Sequence, residues 1–291
     1  MRKRIALGFL AAIVLFGGIA RSQQPQYPTY EPKKMPIQIE LLTHTEIYDA
    51  IHNKGYTTVL VYNGGTEQRG PHDVLGGHTF IAYGKAERLA QKLGNALVAP
   101  VLPFSTNEAS EKMPGTIGLT GPIFKAVNER VVDQMVKNGF KDIVLMGDHG
   151  GGQRELQELA AEADKKYGAQ GIHVYFCGDV YEKSHKDFDA YLTEHHLPLS
   201  SHAGIPDTSE MLLLQPKPGA WVRPIYKDVA GDPVLPQGQR RDPAKSVNNG
   251  ITGDPRPSSV DLGKIDLDMT VNNGYSQINK MIAEKRKPAS Q

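Results

Sequence analysis

What most constrains the fold of this chain is its regular alternation of short apolar runs with amphipathic stretches. Thr57-Thr58-Val59-Leu60-Val61-Tyr62, Asp142 to Met146 and Ile172 to Cys177 are apolar runs of strand length, and Leu97 to Leu102 is another that ends in prolines. Runs without polar alternation suit strands covered on both faces. Between them, Ile81, Ala86, Leu89, Ala90 and Leu93 fall on one helical face that stops at Gly94. Ile123, Val127, Val131 and Met135 recur every four residues up to Gly139, and Leu156, Leu159, Ala160, Ala163 and Tyr167 run up to Gly168. A glycine after the last periodic residue is the usual left-handed helix stop. Strands alternating with helices in this way predict βαβ units and a mostly parallel sheet, hence an α/β fold. At 291 residues, one large core is enough and no second domain is required.

The ends and one insertion stand outside that rhythm. Met1-Arg2-Lys3-Arg4, the uncharged run Ile5 to Ala20, and the small residues of Ala20-Arg21-Ser22 predict a cleaved secretory signal peptide over residues 1–22. The run is too short to span a bilayer as a stable anchor, which takes roughly 20 apolar residues. Residues 23–40 begin rich in Gln, Pro and Tyr and read as an N-terminal arm, leaving 41–291 as the catalytic domain. A Pro-rich insertion interrupts that domain at about 215–249, and an amphipathic helix from Met269 to Glu284 closes it, with Asn272, Asn273 and Gly274 weakening its start. Cleavage after Ser22 leaves 29 of the 33 basic residues against 32 acidic ones, so no nucleic-acid footprint remains. The lone Cys177 excludes an intrachain disulfide and suits a buried strand position.

Ligands in open α/β sheets collect where strands hand over to helices at their carboxyl ends. Two such junctions are Gly65-Thr66-Glu67-Gln68-Arg69-Gly70-Pro71-His72, running on to His78, and Gly147-Asp148-His149-Gly150-Gly151-Gly152. Ser201-His202-Ala203-Gly204-Ile205-Pro206-Asp207-Thr208-Ser209 is a third polar loop. Gly150-Gly151-Gly152 lacks the Lys-Ser/Thr ending of a phosphate loop. Glu67, His78 and His149 supply one carboxylate and two imidazoles from separate loops, the ligand set of an open catalytic zinc site.

In order and spacing, Glu-Gln-x-Gly-Pro-His at Glu67, the metal-binding position eleven residues later, the His-Gly-Gly turn at His149 and His-Ala-Gly-x-x-acid-Thr-Ser at His202 resemble the creatininase family. The likeness resumes at Gly253-Asp254-Pro255. The resemblance implies a single-domain, three-layer αβα sandwich that hydrolyses amide-like bonds in small, often cyclic molecules, and a homo-oligomer, frequently a hexamer. The family pattern has His where Arg69 stands and a metal-bridging Asp where His78 stands. It also has Asn in place of Gly152, and Glu in place of Asp207 and often of Ile205. This pattern implies a divergent branch whose second-metal side is lost.

The expected centre therefore holds one divalent ion per subunit, zinc first and Mn2+ or Fe2+ as alternatives, on Glu67, His78 and His149. Asp207 or His202 shuttles the proton. Arg69 stabilises the oxyanion or grips a substrate carboxylate, and His72 supports from behind. A ring-opening hydrolase of a carbocyclic or sugar-derived ketone would share this chemistry, and a periplasmic small-molecule binding protein would keep the pocket without turnover. A Ser201-His202-Asp207 triad is disfavoured because there is no nucleophile elbow.

Overall fold

The computed structural model describes residues 35–108, 110–235, 239 and 242–286. The expected signal peptide and most of the arm lie outside these residues. Strands β1 (Thr58–Asn63), β2 (Ala96–Val98), β3 (Asp142–Gly147) and β4 (His173–Phe176) form one parallel sheet in the order β2-β1-β3-β4. All six residues of β1 are buried, and alternate side chains divide between two layers as the pleat requires. Val59 and Val61 join Leu97, Ile143 and Leu145 on one face, against Phe124, Val132, Leu156 and Leu159. Leu60 and Tyr62 face the other way, against Ala86, Leu89 and Ile278.

Helices α1 (His44–His52), α3 (Gly121–Asn138) and α4 (Gln153–Tyr167) supply the first layer. Helices α2 (Gly77–Leu93) and α7 (Val260–Lys285) supply the second. Two more, α5 (Glu182–Glu194) and α6 (Ile205–Leu214), pack on α7 through Phe188, Leu192, Ile205 and Leu262. This is a single-domain αβα sandwich. None of the described helices is long and apolar enough to cross a membrane.

Several boundaries differ from the sequence reading. Strand β2 stops at Val98 because, after Ala99 donates to Leu60 O at 2.9 Å, Pro100 has no N–H to continue the ladder; Leu102 makes only an isolated bridge to Asn63. The buried face of α3 lies one position on from the expected stripe: Phe124, Asn128 and Val132 are enclosed while Ile123 is 52% exposed. Gly168 is right-handed and leads into a 3-10 turn, so the left-handed stop falls at Gly171 (φ 69°). The closing helix starts at Val260, where Ser259 Oγ accepts from Leu262 N at 3.1 Å, and it runs through Asn272, Asn273 and Gly274. The segment around Asp207 is the first turn of α6 and not a loop.

The Pro-rich insertion adds no further domain among the described residues. It folds back on the first junction, with Arg223 N donating to His72 O at 2.7 Å and Val74 N to Trp221 O at 3.0 Å. The last residues of the arm cover the sheet edge: Val98 N donates to Ile37 O at 2.8 Å, and Met35, Ile37 and Ile39 pack on the core. Cys177 is fully buried.

Candidate metal centre

Neighbouring parallel strands β1 and β3 end at the same edge of the sheet, and the residues that follow them meet there. Glu67 follows β1, Asp148 and His149 follow β3, and His78 sits in the first turn of α2. Gly151 lets the loop after β3 lie against the backbone at Thr106, since a Cβ there would lie 1.9 Å from Thr106 O. Glu67 Oε1 is 3.0 Å from both His78 Nε2 and His149 Nε2, and its Oε2 accepts from Ser110 Oγ at 2.7 Å. On the other side of the ring, His78 Nδ1 is 2.8 Å from Asp148 Oδ2. An ionised carboxylate only accepts, so Nδ1 carries a proton for Asp148 and Nε2 another for Glu67; a cation that displaced the Nε2 proton would meet its lone pair while Asp148 kept the other nitrogen protonated. His149 Nδ1 accepts from Gly151 N at 3.0 Å, and Gly151 O, 3.4 Å away, is the acceptor it would turn to if a cation took the Nε2 side and the proton moved to Nδ1.

These donors fit a divalent ion. One donor atom each from Glu67, His78 and His149 lie within 4.8 Å of one another. The 3.0 Å separations are close to the roughly 3.3 Å between donors of a tetrahedral zinc with bonds of about 2.0–2.1 Å. Burial would raise the Glu67 carboxyl, but hydrogen bonds from His149 and His78 outweigh it and hold the group far below its usual range. Burial also opposes ionisation of Asp148, and the Lys85 charge, with Nζ at 2.9 Å, overcomes it. A cleft of about 820 Å³ opens onto Glu67 and His149, walled by Thr106, Asn107, Ser110 and Gln153.

The three residues expected to handle protons and charge lie around this centre in unequal positions. His202 Nδ1 is 3.4 Å from Glu67 Oε1, while its Nε2 is 2.7 Å from Gln68 O. A carbonyl accepts, so Nε2 carries the proton and Nδ1 presents a lone pair to the site. Burial, reinforced by the Arg69 charge, lowers the His202 pKa and favours this neutral ring. Asp207 is already engaged: its Oδ2 accepts from Ala203 N at 2.7 Å and lies 2.7 Å from Arg69 Nη2. Burial would raise it, yet Arg69 brings it down to about 2.

Arg69 itself has no exposed surface. The contact to Asp207 is close but off hydrogen-bond geometry, which leaves the guanidinium donors without acceptors. Arg69 is enclosed beside the site, and its charge reaches His202 and Asp207. His72 is fully buried, and its Nε2 lies 2.9 Å from Thr208 Oγ1, whose hydroxyl donates to Asp73 Oδ2 at 3.0 Å. That link fastens the first junction to α6. Sequence reasoning did not assign Lys85, Ser110 or the support role of Asp148, although the acid beside His149 was a visible signal for the last.

An open pocket of one carboxylate and two imidazoles, at the carboxyl edge of a parallel α/β sheet, defines the class of metal-dependent hydrolases. The family profile described as creatinine amidohydrolase matches residues 40–278, and the chain belongs to the creatininase family, whose members are metal-dependent amidohydrolases. A creatinine amidohydrolase of Pseudomonas putida is 24% identical over 240 residues, covering 77% of this chain and 89% of that protein. The crystal structure of a creatinine amidohydrolase superposes with a TM-score of 0.69 at 21% identity, covering 88% of this chain and all of the other. A mutant creatininase complexed with creatine gives 0.67 at 20% identity over 87% of this chain and all of the other. Further structures of this fold include a manganese creatininase and a Zn-Zn form.

Proposed function

We propose that this protein hydrolyses an amide-like C–N bond in a small, cyclic molecule, using one divalent ion held by Glu67, His78 and His149. The observation that carries this reading is the convergence of these three donors on one point beside an open cleft. Creatinine and creatine, named with the relatives, set the substrate class to be tested first. When bound, the ion polarises the carbonyl and lowers the pKa of water from about 15.7 towards about 7. His202 accepts the proton of the attacking water at Nδ1 and returns it to the leaving nitrogen. Asp207, held ionised, steadies Arg69, and the buried guanidinium favours negative charge developing on the carbonyl oxygen. Ser110 fixes the second oxygen of Glu67, keeping Oε1 turned towards the imidazoles.

The same geometry supports a single ion. His78 gives one nitrogen to the site and the other to Asp148, so it cannot bridge two cations, and a guanidinium offers no lone pair. Zinc is the ion proposed, with manganese and Fe2+ as alternatives. The mature chain begins near Gln23 after export and assembles as a homo-oligomer. Mass spectrometry of exported protein and sedimentation would check these two points, and an intact N-terminus or a monomer would overturn them. For the activity, protein stripped with a chelator and reloaded with zinc or manganese is assayed on creatinine, other cyclic amides, lactams and keto-sugars. Turnover of a cyclic amide that stops without metal and returns with it is expected. Turnover indifferent to the chelator, or confined to the keto-sugars, would sink the proposal.

A further inference from the structure

Behind His78 lies a chain of buried charge that the proposed reaction does not use directly. Lys85 Nζ is 2.9 Å from Asp148 Oδ1 and 3.0 Å from Glu210 Oε2, and Asp148 Oδ2 is 2.8 Å from His78 Nδ1. His78 and Lys85 are seven residues apart on α2, two turns along one face, so both reach Asp148 at the end of β3. Lys85, Asp148, Glu210 and Asp266 are each less than 9% exposed. A buried ammonium costs several kcal/mol unless partners compensate it, so placing one two contacts from the centre requires a reason.

We propose that Lys85 is a positioning residue for the metal centre: acting through Asp148, it holds the His78 ring with Nε2 towards Glu67. The inference rests on Glu67, His78 and His149 being the ligands. Asp148 follows a strand on a loop, and one hydrogen bond from His78 would leave its carboxylate free to turn. Lys85 takes the other oxygen and fixes the plane. Burial pushes Glu210 well above the usual carboxylate range and Asp266 to about 7, although Lys85 opposes both. Of the two carboxylates that Lys85 contacts, it is Asp148 that also holds His78, so the ammonium is tied to the ligand ring through Asp148.

Removing such support behind a ligand weakens metal binding by about 10–100-fold. Zinc affinity is read by competition with a chromogenic chelator, and folding by circular dichroism. Lys85→Met should lose affinity in that range, while Lys85→Arg, which keeps the charge, should recover most of it. Because Lys85→Met strands a buried carboxylate, Lys85→Met/Asp148→Asn removes both charges together, and this folded double variant should still bind zinc at least tenfold more weakly. Wild-type affinity in the double variant overturns the proposal, as does Lys85→Arg binding no better than Lys85→Met. His149→Ala separates the two readings. Zinc retained there removes the ligand set itself, whereas zinc lost there but held normally by the double variant removes only the role of Lys85.

Discussion

Arg69 and Asp207 form the most consequential pair at the residue scale, because the guanidinium is fully buried, the carboxylate largely enclosed, and each shapes the other's charge. Breaking a buried ion pair by removing one partner costs about 3–5 kcal/mol, since the other charge is left uncompensated. Asp207→Asn should therefore destabilise the fold by about that amount at pH 7. The sign of the pH dependence follows from the depressed carboxyl, about 2 in the fold against an ordinary 3.8. Its contribution is fully present above about pH 4 and is lost as pH falls towards 2, a difference of about 2 kcal/mol. Urea unfolding at pH 7 and pH 2 should show the gap between wild type and variant shrinking by that amount, and an unchanged gap would contradict the pairing. His202→Ala tests a different role. It should lower kcat by about 10²–10⁴ with metal content unchanged, whereas loss of metal would make His202 a ligand.

Between elements, glycine decides how closely α6 approaches α7 and therefore where Asp207 sits. A Cβ on Gly263 would lie 2.1 Å from Ser209 O, a backbone atom that no rotamer change can move aside. Gly263→Ala should cost about 1–3 kcal/mol by overpacking, more than the roughly 1 kcal/mol that alanine gains in a helix. Gly168, right-handed and with open space for 4 Å around the position a Cβ would take, should behave oppositely, gaining about 0.4–1 kcal/mol as Ala. Thermal melts that rank the two variants the other way would refute the close-approach argument. The same contacts explain what was legible in the sequence. Strands β1 and β3 and the bodies of α2 to α4 were readable because apolar runs and periodicity are local. The start of α7 was not, because Asn272-Asn273-Gly274 reads as a break until Asn273 Nδ2 is seen donating to Asp187 Oδ2 at 2.8 Å and Gly274 is seen packed on Val180 and Leu89. Helix α1 carried a signal in the Thr43-x-x-Glu46 capping box, while α5 has only Ser184, Phe188 and Leu192 enclosed, too sparse a stripe to stand out. Glu67, His78 and His149 could be picked out as residue types at strand ends. Lys85 could not, because its partner Asp148 lies 63 residues away and no spacing rule connects them.

Across the whole molecule, the proposed ion would tie together the loop after β1, the start of α2 and the loop after β3. A ligand that binds only the folded chain stabilises it by about 2.7 kcal/mol at a hundred times its Kd. For a domain of this size, where each kcal/mol is worth about 2–4 °C, that corresponds to a rise of about 5–11 °C in Tm on loading. How many ions produce the rise is the sharper question. A second cation beside the first would need a bridging ligand or donors of its own. His78 cannot bridge, because its Nδ1 is committed to Asp148, and Arg69 fills the adjoining interior with a permanent positive charge that repels a cation and can donate no electron pair. Of the nearby acids that could be recruited instead, Asp148 has both oxygens engaged, by Lys85 and His78, whereas Asp73 gives Oδ2 to Thr208 and holds a buried Oδ1 without a hydrogen-bond partner. Elemental analysis of dialysed protein should find one tightly held ion per chain, and titration of the stripped protein should reach its full gain in Tm at one equivalent. Two tightly held ions per chain, or a second step in the melting curve on adding a second equivalent, would show that one of these partnerships opens to make room for another metal.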